Sequence, residues 1–247
     1  AGMAVIASQV VRYCDPAALA IQTARRLIAA LIDLQADGRI PQLCLAGGRS
    51  AMAMYAEFAR LVPESLLDPS RLELWWSDER FLPADDPERN AGPALALLAR
   101  SFAVDPGKTH SMPSADGTVD ADASANTYAK ELGDTVFDLC LLGMGPDGHV
   151  ASIFPNHPSS EPTSQPVIGV SEAPKPPPER ISLTIDRMNT SAQVWLLVSG
   201  ADKAEAVARA LAGDSELPAA QVSGRERTLW ILDEAAASQL PYFECAG

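Results

Sequence analysis

Short apolar runs alternate along this chain with longer stretches whose apolar residues recur at helical spacing. Leu19, Thr23, Leu27, Leu31 and Leu34 fall on one face of a helix over residues 16–36, and Asp15-Pro16 supplies a cap and a first turn. Gln42–Ala46 reads as a buried strand, Ser50 to Leu61 as a helix, Leu72–Trp76 as a strand and Gly92–Ser101 as a helix. Helix is expected over Asp120–Leu132, strand over Val136–Leu142, and a short extended piece at Ile181–Thr184. Strand Gln193–Ser199, helix Asp202–Ala212, strand Thr228–Leu232 and helix Asp233–Gln239 complete the pattern. This alternation predicts an α/β fold, a mostly parallel sheet with helices on both faces. The stretch Asn156–Pro166 reads as an exposed loop, and Ala173–Arg180 as a stiff polyproline-like segment. The alternation resumes after both, so residues 1–247 are expected to form one domain.

Nearly half of the 247 residues are apolar, enough for a sizeable core. A net charge of −13 argues against a nucleic-acid partner and against docking on anionic lipid. It leaves room for a small anionic ligand, provided its site is locally basic. Cys14, Cys44, Cys140 and Cys245 stand far apart and form no CxxC pair. Cys44 and Cys140 lie in apolar runs as small core residues, which suits a reducing cytoplasm. No apolar run is long enough for a membrane span and no signal peptide is expected. Ala1-Gly2 before Met3 has the look of an expression-tag scar. Nothing demands an oligomer, and a monomer is expected.

Four segments carry candidate chemistry. The most informative is Phe137 to Ser152, where an apolar run breaks into Gly143-Met144-Gly145-Pro146-Asp147-Gly148-His149. Open α/β sheets bind ligands where strands end, at the carboxyl edge, and His149 falls at such a place. A neutral imidazole takes a proton from water near neutral pH, and a neighbouring carboxylate such as Asp147 orients it. The N–H groups of Gly143, Gly145 and Gly148 are candidate donors to a developing oxyanion. The plainer alternative is a loop histidine with a structural hydrogen bond. A second segment, Leu43 to Ser50, runs from strand through Gly47-Gly48 into a helix start, where backbone N–H groups and Arg49 favour an anion. It reads equally as a tight turn with an exposed arginine.

The third segment is Trp75-Trp76-Ser77-Asp78-Glu79-Arg80. Charged residues close a buried strand there, which is costly unless they are exposed or paired. Arg80 either offers its planar fork to a phosphate or pairs with its acidic neighbours. In the fourth, prolines hold Lys175 and Arg180 rigidly, over a site or in solvent. There is no Gly-x-Ser-x-Gly elbow, no His-Glu-x-x-His, no Walker loop, and no Gly-x-Gly-x-x-Gly opening a helix after a strand. Asp147, His149 and His157 have no diagnostic metal spacing. His110 and His157 are assigned no role.

Together these segments resemble the bacterial-type 6-phosphogluconolactonase family. Gly143 to Pro155 matches its Gly-x-Gly-x-Asp-Gly-His-x-Ala-Ser-Leu-Phe-Pro signature, with Ile153 for Leu. Trp76 to Arg80 matches Trp-x-Asp-Glu-Arg, with Asp85, Asp86 and Asn90 following at family-like spacing, and Ala173 to Arg180 matches a Ser-Pro-Lys-Pro-Pro-x-Arg-like segment. Ala46 to Ala51 stands in place of a Ser-Gly-Gly-Ser-Thr-Pro-like loop, with Ala46, Arg49 and Ala51 where Ser, Ser and Pro are expected. Gly47, Gly48 and Ser50 remain, and Arg49 either compensates electrostatically or faces solvent. The resemblance implies an open Rossmann-like sheet similar to glucosamine-6-phosphate deaminase. It also implies hydrolysis of 6-phospho-D-glucono-1,5-lactone, a sugar-phosphate substrate, in the pentose phosphate pathway, without an obligatory metal or cofactor. His149 and Asp147 are then the catalytic pair. Arg80 and Lys175, with Arg180 or Arg49, hold the phosphate, and Gly47, Gly48, Ser50, Asp78, Gly143 and Gly145 line the substrate site. The rivals are a sugar-phosphate deaminase–isomerase, which needs a further carboxylate where Ala151 to Pro155 offers none, and a non-catalytic sugar-phosphate sensor.

Overall fold

The computed structural model describes residues 8–241; the readings placed on Ala1-Gly2 and Cys245 lie outside them. Six parallel strands form the main sheet. These are β1 (Gln9–Tyr13), β2 (Gln42–Leu45), β3 (Glu73–Trp76), β5 (Leu139–Leu142), β8 (Gln193–Val198) and β9 (Arg227–Asp233), in the spatial order β1-β9-β8-β5-β2-β3. A second, antiparallel sheet joins β4 (Asp78–Arg80), β7 (Arg180–Leu183) and β6 (Val167–Val170), in the order β4-β7-β6.

Alternate residues of each buried strand feed two separate cores, as a pleated strand with both faces covered requires. Leu139, Leu141, Trp195, Leu197, Leu229 and Ile231 pack on one side. There they meet α1 (Pro16–Ala36), α2 (Arg49–Leu61) and α3 (Ala91–Leu98). Cys140, Leu142, Val194, Leu196, Trp230 and Leu232 pack on the other, with α4 (Ala121–Leu132), α6 (Ala204–Leu211), α7 (Pro218–Gln221) and the small sheet; the one-turn α5 (Ile185–Met188) contributes Met188. Cys44 and Cys140 are free and buried, as their apolar setting predicts. The expected cap is present too: the Asp15 carboxylate accepts the Ala18 amide at 2.8 Å.

Three features depart from the sequence expectation. β1 pairs with β9 at the sheet edge. The small sheet was not expected either: β3 bends at Ser77, whose amide still donates to Leu45, and continues as β4 out of the main sheet. Finally, Asp233–Gln239 is not a helix. Asp233 ends β9, and its buried carboxylate accepts the Ser199 hydroxyl and the amides of Gly200 and Ala236, leaving residues 234–239 as turns. No helix among the described residues is long and apolar enough to cross a membrane.

From β2 the chain moves outward to β3 by way of α2; from β5 it moves the opposite way, to β8 by way of the small sheet. The direction of winding therefore reverses between β2 and β5, and a crevice opens there at the carboxyl edge.

Candidate active site

That crevice is a cleft of about 270 Å³. Its walls are the loops after β2, β3, β5 and β8, closed by the segment that precedes β7. Five cationic side chains reach it, Arg49, Arg80, Lys175, Arg180 and Lys203, against one carboxylate, Asp78. In a chain of net charge −13 this is a concentrated positive spot, unfavourable by itself and suited to an anion.

Gly48 caps α2 with φ of +96°, a conformation that favours glycine, and provides no side chain to occupy the first-turn amides. The helix therefore opens directly on the cleft, with Arg49 and Ser50 at its mouth. Gly47 is needed for space: a Cβ there would fall 2.0 Å from Asn90 Oδ1.

The β5 loop places His149 in the same cleft. Asp147 Oδ1 accepts from His149 Nδ1 at 2.6 Å and from the His149 amide at 3.1 Å. The proton on that side leaves Nε2 as a lone-pair acceptor, with no partner among the described residues. Burial pushes Asp147 up. The bond from the imidazole, the imidazole's charge when protonated, the His149 amide and Lys175 outweigh it, bringing the carboxyl down to about 2. Asp147 stands behind His149 and does not itself line the cleft. Gly145 makes this pairing possible, because a Cβ there would lie 2.1 Å from both His149 Nδ1 and Cε1.

The expectation of glycine N–H donors for an oxyanion needs correction at Gly145 and Gly148, while Gly143 lines the cleft. The Gly145 amide donates to the His149 carbonyl at 3.0 Å and the Gly148 amide to the Gly145 carbonyl at 2.9 Å. Both are spent on closing the loop, and Gly145 serves the site through its missing side chain.

The Asp78-Glu79-Arg80 run divides its labour. Glu79 is fully buried and accepts the amides of Arg80, Asn90 and Ala91, with Arg89 at 3.6 Å, so it anchors α3. Burial raises its pKa, and the backbone amides and Arg89 oppose that rise. Asp78 forms a cleft wall, held by the Ser152 hydroxyl at 2.8 Å and the Asn90 amide group at 3.3 Å. Arg80 makes no ion pair among the described residues; it donates to the Glu88 carbonyl at 3.3 Å and lines the cleft.

Arg180 lines the cleft but is nearly buried, and most of its donors are committed. Nε donates to Pro177, and Nη2 to the carbonyls of Lys175 and Pro176 at 3.1 and 3.2 Å. Burial and then the Arg80 charge lower its pKa. Its main effect is to fix the segment that carries Lys175. Sequence reasoning missed Lys203. Its Nζ donates to the Met144 carbonyl at 2.7 Å, and burial, with Lys175 and Arg49 nearby, lowers its pKa while Asp202 opposes. The available signal was Ser199-Gly200 after a buried strand, the same strand–glycine–helix grammar as the Gly48 loop. No group of three or more His, Cys, Asp or Glu side chains suited to a metal ion occurs among the described residues.

Residues 14–230 match the family described as glucosamine-6-phosphate isomerases/6-phosphogluconolactonase. The chain belongs to that family. It is 47% identical to a 6-phosphogluconolactonase of Streptomyces coelicolor, covering 94% of this chain and 95% of that one. It is 37% identical to the Mycobacterium tuberculosis 6-phosphogluconolactonase, with 96% and 100% covered. Among solved structures, the Thermotoga maritima 6-phosphogluconolactonase superposes with a TM-score of 0.80 at 28% identity, over 91% of this chain and all of that one. A monomeric glucosamine-6-phosphate deaminase shares the fold, with a TM-score of 0.77 at 23% identity over 93% and 99% of the two chains.

Proposed function

We propose that this chain hydrolyses 6-phospho-D-glucono-1,5-lactone to 6-phospho-D-gluconate, with His149 as general base. One observation carries the mechanism: an imidazole oriented by a carboxylate, its Nε2 unpartnered, shares a cleft with five cations. The phosphate sits at the α2 N-terminus among Arg49, Lys175 and Lys203, with Arg80 also lining the cleft. Anchoring that end directs the lactone carbonyl toward His149.

Water attacks C1 while Nε2 takes its proton. Asp147 stabilises the imidazolium that forms. The tetrahedral intermediate then collapses, the C1–ring oxygen bond breaks, and the imidazolium returns the proton to that oxygen. Negative charge on the intermediate is met by the positive field of the cleft. Lactones open slowly in water unaided, so acid–base help of roughly 10²–10⁴-fold plus positioning suffices and no covalent nucleophile is needed. The deaminase–isomerase alternative lacks a carboxylate between Ala151 and Pro155. Rates with the phosphorylated lactone and with glucosamine 6-phosphate separate the two. Turnover of the lactone alone is expected; release of ammonia from the amino sugar would overturn the proposal.

A further inference from the structure

Lys175 reaches the cleft on a strap, Ser171 to Pro178, that is held from two sides. Arg180 grips it from the cleft side through three carbonyls. The second grip lies outside the cleft and belongs to a residue with no part in the chemistry above. His157 Nε2 lies 3.0 Å from the Ser171 carbonyl and 3.1 Å from the Glu172 carbonyl. Carbonyls only accept, so Nε2 carries the proton. On the other side of the ring, the Ser159 amide donates to Nδ1 at 3.0 Å, and an amide only donates. The two observations agree on a single neutral tautomer.

The same histidine connects to the catalytic loop. The Ser159 hydroxyl lies 2.8 Å from His157 Nδ1 and accepts the Phe154 amide at 2.9 Å. The Phe154 ring packs against the His149 ring, 4.8 Å between centroids, and the Arg180 guanidinium sits over it at 5.8 Å. The backbone adds an independent sign of constraint. Glu172 has φ of +50°, in the left-handed region that glutamate disfavours. Such a conformation persists only where its surroundings hold it. The bond from His157 falls on the carbonyl of that very residue.

We propose that His157 is a positioning residue for the lactone hydrolysis proposed above. Its Nε2–H pins the start of the strap and thereby places the Lys175 ammonium in the cleft, while Ser159 and Phe154 keep the strap in register with His149. The inference rests on the reading of Lys175 as a phosphate ligand.

Two variants separate this role from simple capping of the Pro158–Ser160 turn. His157→Asn keeps an acceptor for the Ser159 amide but cannot reach the strap. His157→Gln restores a distal N–H donor and gives up the cap. For His157→Asn, KM for the phosphorylated lactone rises about tenfold, the loss of one or two hydrogen bonds, with kcat within about twofold. KM for unphosphorylated gluconolactone does not move. His157→Gln stays near wild type with both substrates. In a Lys175→Ala background His157→Asn adds nothing further, since the two act through one contact.

Circular dichroism confirms that each variant is folded. If His157→Asn fails to fold, His157→Gln decides, and a tenfold rise in its KM for the phosphorylated lactone overturns the proposal. An unchanged KM for His157→Asn while Lys175→Ala raises it overturns the role of His157 alone. So do equal effects on both lactones, or additive effects in the double variant. If Lys175→Ala itself leaves KM unchanged, the phosphate reading fails and this inference falls with it.

Discussion

Gly145→Ala is a sharp probe of the site because it adds one methyl group to a single crowded place. The φ of Gly145 is not in the positive region, so alanine meets no backbone penalty there. Its Cβ would lie 2.1 Å from His149 Nδ1 and Cε1 and 2.8 Å from Asp147 Oδ1. Carbon atoms in good contact stand about 3.5–4.0 Å apart, so the imidazole must retreat by more than about 1 Å. Its open path is into the cleft that it already lines, away from the carboxylate that orients it. A displacement of about 1 Å in a catalytic group lowers the rate by roughly 10²-fold. We therefore expect kcat for the phosphorylated lactone to fall about 10²-fold, with KM changed less than about threefold because the cationic wall is untouched. Steady-state kinetics by continuous pH-stat, corrected for spontaneous ring opening, measures both constants. A kcat within threefold of wild type in a folded variant would refute the argument that the Asp147–His149 geometry sets the rate.

Arg49→Ala and Lys203→Ala should each raise KM for the phosphorylated lactone by about tenfold or more, the loss of one charge-assisted hydrogen bond, and leave plain gluconolactone unaffected; equal effects on both substrates would move the phosphate elsewhere. Asp147 is depressed to about 2, so it stays ionised at working pH, and its stabilising effect is present above the unfolded carboxyl value of about 4 and fades as pH falls toward 2. Asp147→Asn removes the partner that orients the imidazole and stabilises the imidazolium, so kcat should fall by roughly 10²–10⁴-fold; an unchanged kcat in a folded variant would contradict the pairing. Glu79→Ala leaves Arg89 buried without its carboxylate and frees the Asn90 and Ala91 amides, a loss of about 3–5 kcal/mol readable as a lowered Tm. An unchanged Tm would show that Glu79 does not anchor α3.

Five strands of the main sheet were legible because they are largely buried on both faces and read as apolar runs; the half-exposed edge strand β1 was not. Leu139–Leu142 and Val194–Val198 are examples, each ending in glycine or serine at the cleft. The His149 loop and the Gly48 helix start were legible for the same reason: both follow such a run. Of the small sheet only β7 was, as the extended piece Ile181–Thr184. Asp78-Glu79-Arg80 is polar throughout, and only distant partners, Asn90, Ala91, Arg89 and Ser152, make its burial tolerable. The alanines of residues 235–237 suggest a helix, but the Asp233 carboxylate is claimed by Ser199 and Gly200 across the sheet. His157 looked like a loop residue because its partners at 171 and 172 are contributed by another loop, and no local spacing encodes that pairing. Arg180 showed a related limit. Its charge suggested a phosphate ligand, whereas the fold commits most of its donors to the strap.

The direct test of the account is the turnover number of His149→Ala with 6-phospho-D-glucono-1,5-lactone in a variant that remains folded. Loss of the base that deprotonates water should lower kcat by roughly 10²–10⁴-fold while KM stays close to wild type. A His149→Ala protein that turns over the phosphorylated lactone at the wild-type rate would contradict it.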